Sequence, residues 1–293
     1  MYKKINKCPV CKSKDIKNLM ICKDHLVSGE SFAINECVNC SFKFTNPRPM
    51  DEELNKYYQS EDYISHTNKA NSFNQIIYKI VRNYTLNRKL KLINSLSIKG
   101  NILDVGCGTG EFLQVCAKKN WIVHGVEPDQ KAREKAENLL HIKISDSLFL
   151  CDDENTYQII TLWHVREHLP ELNKTIKQLQ KLLVKNGRIL FALPNVDSYD
   201  AQKYKEFWAG YDVPRHLYHF NPYTFKKLMK KHGLKIENIL PMRFDAYYVS
   251  LLSEKYKNKY FSYIKSFLSG CKSNSYAKKN KNNFSSLIYI VKK

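Results

Sequence analysis

The stretch Ile102-Leu-Asp-Val-Gly-Cys-Gly-Thr-Gly110 decides the fold. An apolar strand ends in an acid, Asp104, and a glycine-rich turn, and Glu111-Phe-Leu-Gln-Val-Cys-Ala117 continues as a helix-compatible run. Gly106, Gly108 and Gly110 carry no Cβ, so the turn lets backbone approach a flat, polar ligand closely. The helix that follows points its first N–H groups at the same place. Such a glycine pattern is weak when alone, but here the strand before it and the helix after it supply the context it requires. A second strand, Ile122–Val126, runs into Glu127, where an acid typically grips ribose hydroxyls.

Strands and helices keep alternating downstream. Strands are expected at His141–Ile144, Tyr157–Trp163, Arg188–Leu193, Leu234–Leu240 and Ser286–Val291. A helix is expected over Leu172–Leu183, closed by Asn186-Gly187. Another opens at Asn221-Pro222, with Asn as N-cap and Pro at the first position. Upstream, Asp51 begins a helix with acids in its first turn, and Asn74–Ile98 has helical spacing of apolar residues. The segment 246–268 reads as aromatic, lysine-rich helix, and 270–283 as a polar, mobile loop.

A dinucleotide turn reads G-x-G-x-x-G, whereas this one reads Gly-Cys-Gly-Thr-Gly preceded by Asp104. It resembles the D-x-G-x-G-x-G strand-one pattern of class I S-adenosylmethionine (SAM) methyltransferases. The resemblance implies an α/β, Rossmann-like, seven-stranded sheet. It implies SAM contacts from Asp104, Gly106, Gly108, Gly110 and Glu127, and an adenine contact from Asp146. Trp163-His-Val-Arg-Glu-His168 resembles the HVLEH segment after the fourth strand of many small-molecule members. That places Trp163 and His164 at the cofactor and His168 at the substrate. Arg166 stands where an apolar residue is usual, and is open to lying outside or to meeting a substrate anion. Some quinone-pathway relatives hold a divalent ion with acids and a His of this segment. Here His164 replaces the first acid, so no such ion is expected.

Nine cysteines in a chain without an apolar leader argue against disulfides. Cys8-Pro-Val-Cys11 and Cys37-Val-Asn-Cys40 form a CxxC…CxxC pair, which suits a closed, structural zinc site. Cys22 and His25, in the excursion between them, are open to a ligand swap. Three parts follow: a zinc ribbon over 1–48, helical linker and lid over 49–97, and a methyltransferase domain over 98–293 with a basic insertion at 246–283. Tyr57, Tyr58 and Tyr63 are open to covering the cofactor or to packing between helices.

Gly210-Tyr-Asp-Val-Pro-Arg-His-Leu-Tyr-His-Phe220 is dense in polar chemistry and lies in the loop that roofs the acceptor pocket of this fold. His216 is the preferred base, with His219 second. Tyr211, Arg215 and Tyr218 are candidate substrate contacts, Arg215 for a phosphate or carboxylate. The cysteine module, the Asn-Pro-Arg-Pro exit, the tyrosine pair and the SAM domain together resemble a bacterial family that includes sugar C-methyltransferases. In that family a Glu-His pair precedes the helix after strand five, and the His acts on a nucleotide-linked keto-sugar. His216 matches that His, but Arg215 stands where the Glu would be, which leaves O-methylation open.

The formal net charge is +20, and ten lysines face one acid, Glu254, beyond residue 245. That excess suits nucleic acid, an anionic substrate or an anionic membrane surface, or reflects composition alone. No run approaches the length of a membrane span, and a cytoplasmic location is expected. The leading expectation is methyl transfer to a small molecule, a sugar or a cell-surface glycan or lipid precursor. An rRNA or tRNA methyltransferase is the second, and a non-catalytic SAM-fold scaffold the third.

Overall fold

The computed structural model describes residues 1–58, 72–152, 154–258, 262–280 and 282–293. Tyr63 lies outside the described residues. Strands β1 (Tyr2–Lys3), β2 (Ile16–Lys23), β3 (Ser31–Cys37), β4 (Lys43–Thr45) and β5 (Arg48–Pro49) come first. Helix α1 (Ser72–Leu96) precedes β6 (Asn101–Val105), α2 (Glu111–Ala117), β7 (Ile122–Val126), α3 (Gln130–Leu140), β8 (Tyr157–Trp163), α4 (Leu172–Leu182) and β9 (Leu183–Pro194). The chain ends with α5 (Tyr199–Tyr204), β10 (Tyr218–His219), α6 (Pro222–Lys231), β11 (Lys235–Pro241), α7 (Asp245–Lys257), α8 (Tyr263–Lys279) and β12 (Ser286–Lys292). Two compact units result, one from Met1–Ile64, Arg166–Leu172 and Ala192–Tyr289, the other from Ser65–Val165, Asn173–Phe191 and Ile290–Lys293.

The large sheet has the order β11-β12-β9-β8-β6-β7. Strand β6 runs parallel to both β7 and β8, with Leu103 opposite His124 on one side and Ile160 on the other. Ile102, Leu103, Val105, Ile159, Ile160 and Leu162 are all buried. Continuous apolar runs of this kind are what a parallel strand covered on both faces requires.

Two expected elements change. Six strands are present among the described residues rather than seven, because His141–Ile144 forms no strand. His141 caps α3 in the left-handed region, and the Glu137 carboxylate accepts from the Ile144 N–H. Only Ser145 reaches the sheet, as a single bridge to Val126. Helix α4 stops at Leu182, without the glycine cap expected at Asn186-Gly187. The N–H groups of Asn155 and Thr156 take the carbonyls of Lys181 and Leu182, so the helix end is already satisfied.

In the other unit, a four-stranded sheet has the order β10-β4-β3-β2. Tyr218 lies opposite Phe44 and His219 opposite Lys43, so the histidine-rich loop is a strand of the same sheet as the cysteine module. Trp208, Tyr57, Tyr204, Phe32 and Ile34 are fully or almost fully buried in the core against this sheet.

The stretch 270–283, expected as a loop, is helical as far as Lys279. Its inward face is held by hydrogen bonds rather than by oil. Asp200, fully buried, accepts from Trp208 Nε1 at 2.8 Å, Ser273 Oγ at 2.7 Å and Ser285 Oγ at 2.6 Å. Replacing Asp200 by Ala leaves three buried donors without an acceptor, each at a cost of about 1–3 kcal/mol. Urea denaturation of Asp200→Ala should therefore show a loss of at least about 3 kcal/mol, against about 1 kcal/mol for Ser273→Ala. Equal losses in the two variants would contradict this wiring.

Candidate active site

The glycine turn is built on left-handed backbone. Gly106, Gly108 and Gly110 have φ of 73°, 56° and 81°, which L side chains rarely adopt. A Cβ on Gly110 would press on Ala136 of α3 at 3.1 Å, so this glycine sets how closely two helices approach. A Cβ on Gly108 would meet nothing within 4 Å, so space for a ligand opens over that residue. The Gly108 N–H donates to Glu127 Oε2 at 2.8 Å, and the Asp129 N–H to Oε1 at 3.0 Å. Burial raises the Glu127 carboxyl above its usual range, against those two bonds. Asp104 is turned inward and accepts from Thr161 Oγ1 at 2.6 Å. Burial pushes it up to about 7, although Thr161 and Lys89 favour its charged form. Trp163 packs edge-on against Phe112 with ring centroids 5.6 Å apart, and the Lys89 ammonium lies 4.3 Å from its ring. His164 takes a left-handed φ of 58°, and Asp146 is exposed.

A second cluster lies in the unit that carries the cysteines. His216 Nδ1 is 2.9 Å from the Gly210 carbonyl. A carbonyl only accepts, so Nδ1 carries a proton, and in the neutral ring Nε2 is the nitrogen that accepts. Nε2 stands 3.9 Å from Asp212 Oδ2. The His168 ring meets the His216 ring edge-on at 4.5 Å, and the Tyr58 hydroxyl lies 3.0 Å from His168 Nδ1. Burial opposes ionisation of Asp212, but Arg215 and His216 outweigh it and hold the carboxyl below its usual range. A basic nitrogen with a carboxylate beside it can take a proton, and the carboxylate stabilises the imidazolium formed. Glu167, His168 and His216 also offer one ligand atom each within 4.8 Å of one another, a spacing that could hold a cation.

The cysteines converge as a third group. Sγ atoms of Cys8 and Cys40 are 3.5 Å apart, as are those of Cys11 and Cys37, and all four lie within 4.8 Å. Each CxxC closes through a knuckle: Lys12 N–H donates to the Cys8 carbonyl and Ser41 N–H to the Cys37 carbonyl, with Lys12 and Ser41 at positive φ. Cys22 and His25 stand outside this group. Cys22 is in the core, and His25 stacks on Tyr256 with centroids 4.4 Å apart.

Residues 78–239, more than half of the chain, match a family model described as a methyltransferase domain. The chain belongs to this methyltransferase family. A ubiquinone biosynthesis O-methyltransferase from Coxiella burnetii is 30% identical over 116 residues, 36% of this chain and 50% of that protein. The chain thus spans about half the length of the curated relatives it matches. Among solved structures, phosphoethanolamine N-methyltransferase 2 from Haemonchus contortus, in complex with SAM, aligns over 94% of this chain and 71% of its own at 15% identity and a TM-score of 0.54. The geranyl diphosphate C-methyltransferase of Streptomyces coelicolor aligns over 79% and 87% at 12% identity and a TM-score of 0.53. These likenesses concern the fold, which is that of SAM-dependent methyltransferases.

The residues of the 210–220 loop take distinct places. Arg215 is almost fully buried and spends its donors inside the protein. Its Nε and Nη2 grip Asp212, Nη2 reaches Asp24 at 2.9 Å, and Nη1 donates to the Tyr57 carbonyl at 2.9 Å. His219 Nε2 is 3.1 Å from Thr45 Oγ1, whose own proton goes to the His216 carbonyl, so His219 is the donor and Nε2–H is fixed. Burial, with His216 and Lys43 nearby, pushes His219 well below its usual range and keeps it neutral. Tyr218 donates to the Pro170 carbonyl at 2.5 Å, and the Arg166 guanidinium lies 5.4 Å from its ring. Arg166 is fully buried, which removes the reading that puts it outside. Tyr211 lines a small cleft with Cys22, Trp208, Asp212, Arg215 and Tyr256. Asp212, Tyr58 and Thr45 carry much of this wiring. The only sequence signal for Asp212 was its position four residues before His216.

Asp24 is also held below the usual carboxylate range: burial opposes this, but Arg215 and the Ser28 N–H outweigh it. Folded values below the unfolded ones mean that Asp24 and Asp212 contribute stability above about pH 4, lost as pH falls further. Arg215→Met leaves two carboxylates buried without their cation and should cost about 3–5 kcal/mol. In the variant the two carboxyls keep only the burial that raises them, so protonation relieves their unpaired charge: the deficit in Tm against the wild type should be largest near neutral pH and shrink as pH falls toward about 4. An unchanged pH profile would contradict the clamp.

Proposed function

We propose that this methyltransferase methylates a small molecule whose acceptor atom carries a removable proton, and that His216 removes it. The tautomer of His216, with Nδ1 on the Gly210 carbonyl and Asp212 beside Nε2, is the observation that carries this reading. Bound SAM supplies an electrophilic methyl group on a sulfonium. The residues present suit that cofactor: open space over Gly108, a buried Glu127 for ribose hydroxyls, the first N–H groups of α2, and Asp146 exposed for the adenine edge. The work left to the chain is to align the acceptor and to accept its proton.

The acceptor we assign is a hydroxylated small molecule of the sugar or cell-surface precursor class. Support comes from the O-methyltransferase names of the curated relatives and from the resemblance to sugar methyltransferases. That resemblance called for an acid beside the base at position 215. Asp212 supplies the acid instead, from one helical turn earlier, so the carboxylate–histidine pair is restored by a different residue. With methyl-labelled SAM and a cell extract, label should enter the low-mass fraction. His216→Gln should lower that incorporation by about 10²–10⁴-fold while the SAM-induced rise in Tm persists. Label in ribonuclease-sensitive material would favour the RNA reading, and full activity of the variant would remove His216 as base.

We further propose that Cys8, Cys11, Cys37 and Cys40 bind one structural zinc ion. Four thiolates on two knuckles leave no open position for chemistry. A ribbon this small gains its folding energy from the metal. Metal analysis should find about one zinc per chain, and Cys37→Ser should lose it together with thermal stability. Protein purified without metal but with the same Tm would sink this assignment.

A further inference from the structure

The hairpin of α7 and α8 is polar inside and apolar outside. The buried residues of α8 are Ser266, Ser269, Gly270, Ser273 and Ala277. Their hydroxyls are satisfied within the protein: Ser266 by the Ser262 carbonyl, Ser269 by Tyr204 and Lys203, Ser273 by Asp200. The residues left in solvent are large and apolar. Tyr263 is 71% exposed, Ile264 73%, Phe267 60% and Leu268 52%. Ile264, Phe267 and Leu268 sit at helical positions i, i+3 and i+4 and so share one face. A helix of a water-soluble protein ordinarily turns such a face inward.

Charge identifies the occupant of that face. The two helices carry six lysines, Lys255, Lys257, Lys265, Lys272, Lys278 and Lys279, all exposed. Of their two acids, Glu254 is buried against Lys203 at 3.2 Å, which leaves Asp245 alone near the surface. A second copy of a chain with net charge +20 would be repelled. Apolar side chains among lysines match the interface of a bilayer with anionic lipid. No helix among the described residues is long and apolar enough to cross a membrane. The hairpin also lies beyond residue 239, where the match to the methyltransferase family ends.

We propose that the α7–α8 hairpin docks this protein on an anionic lipid bilayer, with Ile264, Phe267 and Leu268 entering the interface and the lysines lying over the headgroups. The site is independent of the acceptor reading. The test is co-sedimentation of the full chain with vesicles of phosphatidylcholine alone or of phosphatidylcholine with phosphatidylglycerol. Binding should require the anionic lipid and weaken as salt rises. Ile264→Ser/Phe267→Ser/Leu268→Ser and, separately, Lys265→Gln/Lys272→Gln/Lys279→Gln should each lower the partition coefficient at least about tenfold. Both sets change exposed side chains, so Tm and the SAM-induced shift should stay as in the wild type. If the apolar set loses Tm, the lysine set alone decides. Absence of wild-type binding to the anionic vesicles would overturn the proposal. So would equal binding by the lysine variant, stronger retention by RNA at the same salt, or a self-association that the apolar variant abolishes without any vesicle binding.

Discussion

Arg215 holds together the unit in which the candidate base lies. A guanidinium with almost no exposure reaches Asp24 in the turn after β2, the backbone at Tyr57 and Asp212. Dehydrating three charges is costly, and only close geometry with further hydrogen bonds repays it. Those bonds are present: Asp24 also accepts from the N–H groups of Leu26, Val27 and Ser28. The clamp fixes Asp212 in a left-handed conformation, and the Asp212 carbonyl then receives the His216 N–H at 2.9 Å. The carboxylate beside His216 thus follows from the placement of one arginine, while the Gly210 carbonyl sets the tautomer. This explains why Arg215, which reads in the sequence as an anion receptor, spends four of its five N–H donors inside the protein.

The same unit shows two ways of burying polar groups. Around Asp200 and Glu254 the helices α5, α7 and α8 meet through serines, a tyrosine and a lysine, each with a partner. Satisfied bonds of this kind contribute about 1 kcal/mol each, less than burial of a leucine. A hairpin that needed only to be stable would have turned Phe267 and Leu268 inward. Keeping them in water forgoes that stabilisation, and the placement makes physical sense where an apolar phase meets the outer face.

What could be read from the sequence was local in origin. The strand–turn–helix around Gly106–Gly110 is coded by adjacent residues, as are the knuckles at Cys8–Cys11 and Cys37–Cys40, and all take their expected form. What could not be read was set by tertiary partners. His141–Ile144 has strand character, yet Glu137 takes its N–H at Ile144. The run 270–279 is rich in Ser, Asn and Lys and reads as loop, yet buried Asp200 holds Ser273 and the run is helical. Resemblance ranks His216 above His219, but their wiring is legible only in the fold, where Gly210 offers one a carbonyl while Thr45 wires the other as a donor.

The two acids of the glycine-turn unit divide their work in a way that spacing alone does not reveal. Asp104 lies under the turn with 2% exposure, its carboxyl on Thr161 and pushed up by burial. It is placed to tie β6 to β8 rather than to face solvent. Glu127 has 9% exposure and both oxygens on backbone N–H groups at the mouth of the turn. Two N–H bonds stabilise its charged form, so the carboxylate is oriented before any ligand arrives. An acceptor oriented beforehand loses little entropy on binding a diol. Of the two acids, Glu127 is therefore the one held ready at the mouth of the turn, and Asp104 the one that ties β6 to β8 beneath it.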